Sequence, residues 1–216
     1  MNTYETNYQT AKVWGVLLRL YHWSLVLSII ILVVTGFYIN APWTNTTIEG
    51  SASFPMAAMR NLHFLAAYLF TAAILVRIFL LIFGNRQERI WDFLPVTSRN
   101  IKSFFTTLGF YSYISDEHDA RKGHNALAGI SYILTIIAAV FQLIGGFYLL
   151  YPESATWQGM GNAIFGSQQE ARFIHHLLMW YFLLFAFVHV YIVIWNEIKT
   201  PEGLTSSMIN GKKFIS

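Results

Sequence analysis

The chain has 216 residues, 55% of them hydrophobic, 17% aromatic and only 12% charged. A soluble domain of this size carries about 25% charged residues, so an ordinary water-facing surface is excluded. The absence of cysteine likewise excludes Fe–S ligation, covalently attached c-type haem and disulfide-forming thiol chemistry.

In chain order, uncharged runs cover Leu20–Ile48, Asn61–Val76, Gly123–Pro152 and Phe173–Asn196. Roughly 20 apolar residues cross a bilayer as a helix. Three runs reach that unaided, and the second does so if Arg77 lies near one membrane face and the helix continues to Phe83. The predicted helices are 15–39, 58–83, 124–151 and 170–195, in one all-α, four-helix transmembrane bundle covering residues 1–216. The first run is too long for a signal-peptide core and Asn40–Trp43 is a poor cleavage site, so it reads as a retained helix. Asn40–Met59 forms an outer loop with Pro42, Gly50 and Pro55. The inner loop, 84–123, interleaves basic and aromatic residues. That mixture suits a segment lying among lipid headgroups and equally a solvated loop.

The sequence pI near 9.1 does not imply nucleic acid, because the basic residues segregate. Of the 14 lysines and arginines, Lys12, Arg19, Arg86, Arg89, Arg99, Lys102, Arg121, Lys122, Lys199, Lys212 and Lys213 fall in the N-terminal segment, the inner loop or the C-terminal tail. Arg60 and Arg172 lie opposite, and Arg77 sits inside a helix. The positive-inside rule then places both termini in the cytoplasm.

Histidine is costly in lipid unless something uses it. A helix turns about 100° and rises about 1.5 Å per residue, so side chains 14 apart return to within roughly 40° of one face, about 21 Å along. His175 and His189 are so related, whereas His176 lies more than about 100° from the face of His189. His22 falls near the inner end of its helix, at the depth of His189, and His63 near the outer end, at the depth of His175. An inner pair and an outer pair imply two centres, since about 21 Å is too far for one metal ion. A group that takes one imidazole from each side, needs no cysteine and fits between helices is a b-type haem.

The same interval links His22 to Gly36 and His63 to Arg77. Gly36 lets a flat macrocycle approach the backbone or serves helix packing. Arg77 faces the inner haem or reaches the inner headgroups. Arg19, Arg60 and Arg172 each precede a histidine by three residues, on the same helix face. They are placed either for haem propionates or as anchors at helix ends. His118 reads as a loop residue.

The segments RLYHW, VTGFYI, MRNLHF, RIFLLIFGN, KGHNALA, HHLLMW with a later HVY, and TSSMINGK together resemble one family over nearly the whole chain. It is the cytochrome b subunit of membrane-bound, quinone-reactive nickel–iron hydrogenases. The cytochrome b subunit of formate dehydrogenase shares the four-helix, two-haem plan but not this full set. The resemblance implies that His22, His63, His175 and His189 hold two haem b groups. It also implies a bacterial inner membrane, and partners in a hydrogenase large (Ni–Fe) subunit and a small (Fe–S) subunit on the periplasmic side. The family has another residue where this chain has His176, and spacing favours His175 as the ligand.

The expected path runs from the hydrogenase through the outer and inner haems to menaquinone or ubiquinone near the cytoplasmic face. No residue of this chain activates hydrogen. At that face His124 and Asn125 either hydrogen-bond a quinone carbonyl or cap the third helix. No Asp or Glu lies in a helix core, so protons reach the quinone through loop groups such as Asp116, Glu117 or Glu197 rather than along a transmembrane relay. A transporter, the rival reading, would need intramembrane carboxylates and would not separate its histidines into pairs. A formate dehydrogenase or other reductase would keep the haems and change the donor.

Overall fold

Backbone N–H and C=O groups cannot go unpaired in lipid, and a helix satisfies them within its own segment. The computed structural model describes residues 9–43, 54–115, 125–199 and 203–215. Its elements are β1 (Gln9–Lys12), α1 (Val16–Asn40), α2 (Pro55–Phe83), α3 (Ile90–Phe93), α4 (Ser98–Tyr111), α5 (Ala126–Leu150), α6 (Ala155–Phe165), α7 (Gln168–Lys199), α8 (Leu204–Asn210) and β2 (Lys212–Ile215). Helices α1, α2, α5 and α7 have 25 to 32 residues and a mean hydropathy of 2.1 to 2.4. The four expected spans are present. At about 1.5 Å per residue each exceeds the roughly 30 Å of a hydrocarbon core.

The sequence reading missed four helices: α3 and α4 inside the expected inner loop, α6 between the last two spans and α8 in the C-terminal tail. Each of the two longer ones is marked by a cap: Thr97 accepts from the Asn100 amide at 3.3 Å, and Ser154 accepts from the Trp157 amide. Such side-chain caps satisfy amides that a helix start leaves bare.

The chain packs as two compact units. The first comprises Met1–Leu20, Val76–Ala139 and Leu183–Ser216. Within it β1 pairs antiparallel with β2, Gln9 opposite Ile215 and Lys12 opposite Lys212. The Val13 and Trp14 amides donate to the Gly211 carbonyl at 2.8 and 3.2 Å. Trp14 Nε1 donates to Ser207 Oγ at 3.1 Å. Gly211, at φ 82°, takes the left-handed turn that ends α8. Residues joined in one ladder lie on one side of a membrane, so the chain between them crosses an even number of times, as four spans do.

In the same unit Phe93 is fully buried against α5 at Gly129, where a Cβ would come within 2.3 Å of its ring. Glu88 is also buried. Its Oε1 accepts from the Gly15 amide and its Oε2 from the Asn85 amide, each at 2.9 Å. A buried carboxylate is tolerable when backbone donors replace its water.

The second unit comprises Tyr21–Leu75 and Val140–Phe182. Tyr148, Phe165 and Ala171 form its core, and the Tyr148 hydroxyl donates to Asn162 Oδ1. Phe70 meets Phe182 edge to face, ring centroids 6.0 Å apart.

Candidate functional site

The second unit carries His63 on α2 and His175 on α7. The orientation of His63 is set from α1. Thr35 is buried, and its hydroxyl donates to the Ile31 carbonyl one turn back, at 2.6 Å. A hydroxyl has one hydrogen. Facing His63 Nδ1 at 2.8 Å, Thr35 therefore accepts, and His63 carries its proton on Nδ1. The Leu32 carbonyl lies beside the same ring. That leaves Nε2 as an unprotonated ligand atom, the arrangement by which metal-binding histidines are usually fixed.

His175 faces His63 with ring centroids 6.4 Å apart and planes at 55°. At His175 the comparable acceptor is the Gln142 backbone carbonyl, but no full hydrogen bond reaches its buried Nδ1. Both histidines line a cavity of about 660 Å³, with Gly36, Arg60, Gln142, Gly146, Arg172 and Met179 also in its wall. Gln142 Oε1 is buried there without a hydrogen-bond partner among the described residues.

This geometry decides what the site can hold. Among the described residues no three His, Cys, Asp or Glu side chains converge on one point, so a bare ion would lack ligands. Two opposed imidazoles suit a metal that brings its own equatorial ligands, as haem does. With metal–nitrogen bonds of about 2.0–2.1 Å and about 1.1 Å from ring centre to nitrogen, axial imidazoles stand roughly 6.3 Å apart. The observed 6.4 Å fits.

Glycines keep the approach open. A Cβ on Gly36 would sit 3.6 Å from His63 Cε1 and 4.0 Å from Met179 Sδ. One on Gly146 would sit 3.3 Å from His175 Cε1, so that neighbour would have to give. The exposed arginines Arg60 and Arg172 stand at the cavity with cationic ends. A pair of carboxylates there would be matched by charge and by the fork geometry of guanidinium. Arg60 also lies over the Phe64 ring, 5.9 Å from its centroid.

The remaining predicted residues are placed as follows. His22 belongs to the second unit, edge-on to Trp23 at 5.1 Å. His189 belongs to the first, stacked on Phe185 at 5.8 Å and edge-on to Tyr132 at 6.0 Å. Arg19 Nη1 donates to the Ile209 carbonyl, while its buried Nε has no partner among the described residues. Arg77 is buried and its Nη1 donates to the Glu88 carbonyl at 3.0 Å. His176 accepts from Trp180 Nε1 at 3.2 Å. Asn125 Oδ1 accepts from the Ala128 amide at 2.8 Å, so this residue does cap α5. Glu197 Oε2 accepts from the Thr205 amide at 3.1 Å. His124, Asp116, Glu117 and His118 lie outside the described residues.

Three contributors escaped the sequence reading, Thr35, Gln142 and Gly146. Thr35 carried a readable signal, lying one residue before Gly36 and after the apolar stretch Ile29–Val34. Gln142 did too, as an uncharged amide in mid-span.

Residues 13–211 match the family described as prokaryotic cytochrome b561. The probable Ni/Fe-hydrogenase B-type cytochrome subunit of Cupriavidus necator is 34% identical over 202 residues, 89% of this chain and 82% of the relative. The protein of the same description from Rhizobium leguminosarum bv. viciae is 30% identical over 96% of this chain and 90% of its own length. The probable Ni/Fe-hydrogenase 1 B-type cytochrome subunit of Escherichia coli K12 is 29% identical, over 89% and 86% respectively.

Proposed function

Since the chain belongs to the prokaryotic cytochrome b561 family and is a membrane cytochrome b, we propose that it is the electron-transfer subunit of a hydrogen:quinone oxidoreductase. The observation that carries this is the His63–His175 pair, spaced at 6.4 Å across a cavity with two arginines at its wall. Haem b, when bound, supplies a one-electron couple.

The chain's own residues hold and orient that group. His63 and His175 would hold the haem iron at this site, with Thr35 fixing the ligand tautomer of His63. Arg60 and Arg172 neutralise the propionates, and Gly36 and Gly146 leave room for the macrocycle edge. A second haem b is held by His22 and His189, which helix register places at one depth. Arg19 and Arg77 then serve its propionates. His124 and Asn125 lie at the quinone end, and menaquinone or ubiquinone is the acceptor. The donor is a Ni/Fe hydrogenase, through its small Fe–S subunit and its large Ni–Fe subunit. The termini face the cytoplasm across a bacterial inner membrane.

The test is haem quantification and hydrogen-dependent haem reduction on the purified complex. His63→Ala and His175→Ala should each remove one and the same haem, and His22→Ala and His189→Ala the other. If His22 and His63 proved to share a centre, the reading would be wrong.

A further inference from the structure

Helix α4 is built inside out. Asn100, Ser103, Thr107 and Tyr111 fall within about 80° of one another on its circumference. The first three are only 3 to 4% exposed. On the opposite side Ile101, Phe105 and Leu108 are 43, 63 and 42% exposed. Water would favour the reverse, so the outward face of α4 is a lipid face and the inward face is polar by design.

The inward groups can be accounted for one at a time. Asn100 Nδ2 donates to the Leu94 carbonyl at 2.7 Å, and Ser103 Oγ accepts from the Ala126 amide at 3.3 Å. Thr107 Oγ1 is buried with no hydrogen-bond partner among the described residues. The Tyr111 hydroxyl accepts from Asn196 Nδ2 at 2.7 Å, and the Asn125 side chain is a second polar neighbour. A phenol oxygen has two acceptor sites and one hydrogen. With an amide donor on its oxygen, the tyrosine still has its own hydrogen to give, and that hydrogen has no acceptor among the described residues. Burial pushes this phenol up from its ordinary value of 10.0, partly offset by the Asn196 and Asn125 side chains, so the hydrogen stays in place at physiological pH. Trp195 lies beside it at 5.6 Å, and Phe110 and Tyr113 flank the same indole at 5.2 and 6.1 Å.

We propose that the Tyr111 hydroxyl is a hydrogen-bond donor to a carbonyl oxygen of the membrane quinone. This deepens the quinone reading above and rests on it. A quinone head is flat, accepts hydrogen bonds at its carbonyls and donates none, and carries an apolar tail. A phenol with its hydrogen left to give, among aromatic rings and on a helix whose other face is apolar, matches each of those properties. Asn125, next to His124 in sequence, ties the tyrosine to the stretch already assigned to the quinone. Its Oδ1 caps α5, and the same side chain neighbours Tyr111.

The experiment uses the complete hydrogenase complex in membranes, titrated with menadione and with decylubiquinone. Haem content is measured on every variant, and binding of a fluorescent hydroxyquinoline N-oxide is measured in parallel. Loss of one neutral hydrogen bond should raise KM in Tyr111→Phe by about two- to tenfold, with kcat little changed and inhibitor binding weakened alike. Asn196→Ala, which frees the hydroxyl to rotate, should move KM the same way by less, and serves if Tyr111→Phe loses haem. Unchanged KM and inhibitor affinity in both variants would overturn the proposal and leave the quinone reading standing. Failure of the wild-type complex to saturate with either quinone would overturn both. Binding that depends on phospholipid and not on quinone would mean that the polar face holds a headgroup instead.

Discussion

Replacing Thr35 by Val tests the haem site at its least obvious point. The change keeps the branched shape and removes the oxygen that accepts from His63 Nδ1 at 2.8 Å. An orphaned buried donor costs about 1–3 kcal/mol. The Leu32 carbonyl lies beside the ring and can take up the hydrogen once Thr35 is gone, so the loss falls toward the lower end, about 1–2 kcal/mol. At about 1.4 kcal/mol per factor of ten this is roughly five- to thirtyfold weaker haem retention, in the range measured for groups that orient metal-binding histidines. The assay is the rate at which one haem leaves the purified complex for excess apomyoglobin, followed by absorbance. Thr35→Ser, which restores the oxygen, should behave as wild type. Wild-type release from Thr35→Val would refute the assignment of the Nδ1–H tautomer. So would a loss as complete as in His63→Ala, since Thr35 would then be needed for folding rather than orientation.

His176→Ala should retain both haems, checked by haem quantification, because its ring is engaged with Trp180 and lies off the His175 register. Gly146→Leu should lose the haem between His63 and His175 and spare the other, since a Cβ alone already comes within 3.3 Å of His175 Cε1; the spectrum of the remaining haem reports this. His124→Leu should keep both haems, still reducible by hydrogen, while quinone reduction falls at least tenfold by the loss of one charged or proton-delivering hydrogen bond, about 1.5–3 kcal/mol; full activity would make it a capping residue. For Tyr111 the folded-state pKa is raised, so the stability it contributes is present below pH 10 and lost as pH climbs through the raised value. Melting curves of wild type and Tyr111→Phe should therefore run parallel from pH 7 to about 9.5 and converge only above about 10.

The spans were legible because lipid enforces a long uncharged run, and no tertiary contact can disguise one. His63 and His175 were legible for the same reason, as polar groups that lipid penalises unless used. Helix α4 was hidden because its pattern is the reverse of a soluble amphipathic helix. Read by the usual rule, Asn100, Ser103 and Thr107 would face out. Arg77 shows the opposite difficulty. Its charge was conspicuous, yet sequence cannot say that the Glu88 carbonyl, 11 residues on, already holds one of its nitrogens. Asn125 was seen to have two possible roles, and the capping one is realised through Ala128. Helix α6 went unread because Ser154 and Gly166 bracket a segment of mixed polarity between two spans.

The β1–β2 ladder sets an order of assembly. Lys12 must wait for Lys212, and closing a loop of about 200 flexible residues costs roughly 4.7 kcal/mol in chain entropy. A ladder four residues long returns about 1 kcal/mol per hydrogen bond and cannot reliably meet that cost alone. Once the intervening helices are in the bilayer the two ends are no longer free, and the entropy has already been spent on insertion. The ladder therefore closes last. Slow amide exchange at Thr10 and Phe214 would mark chains whose four spans have all inserted, and a chain stalled after an odd span would hold its partner strands on opposite faces of the membrane, unable to zip.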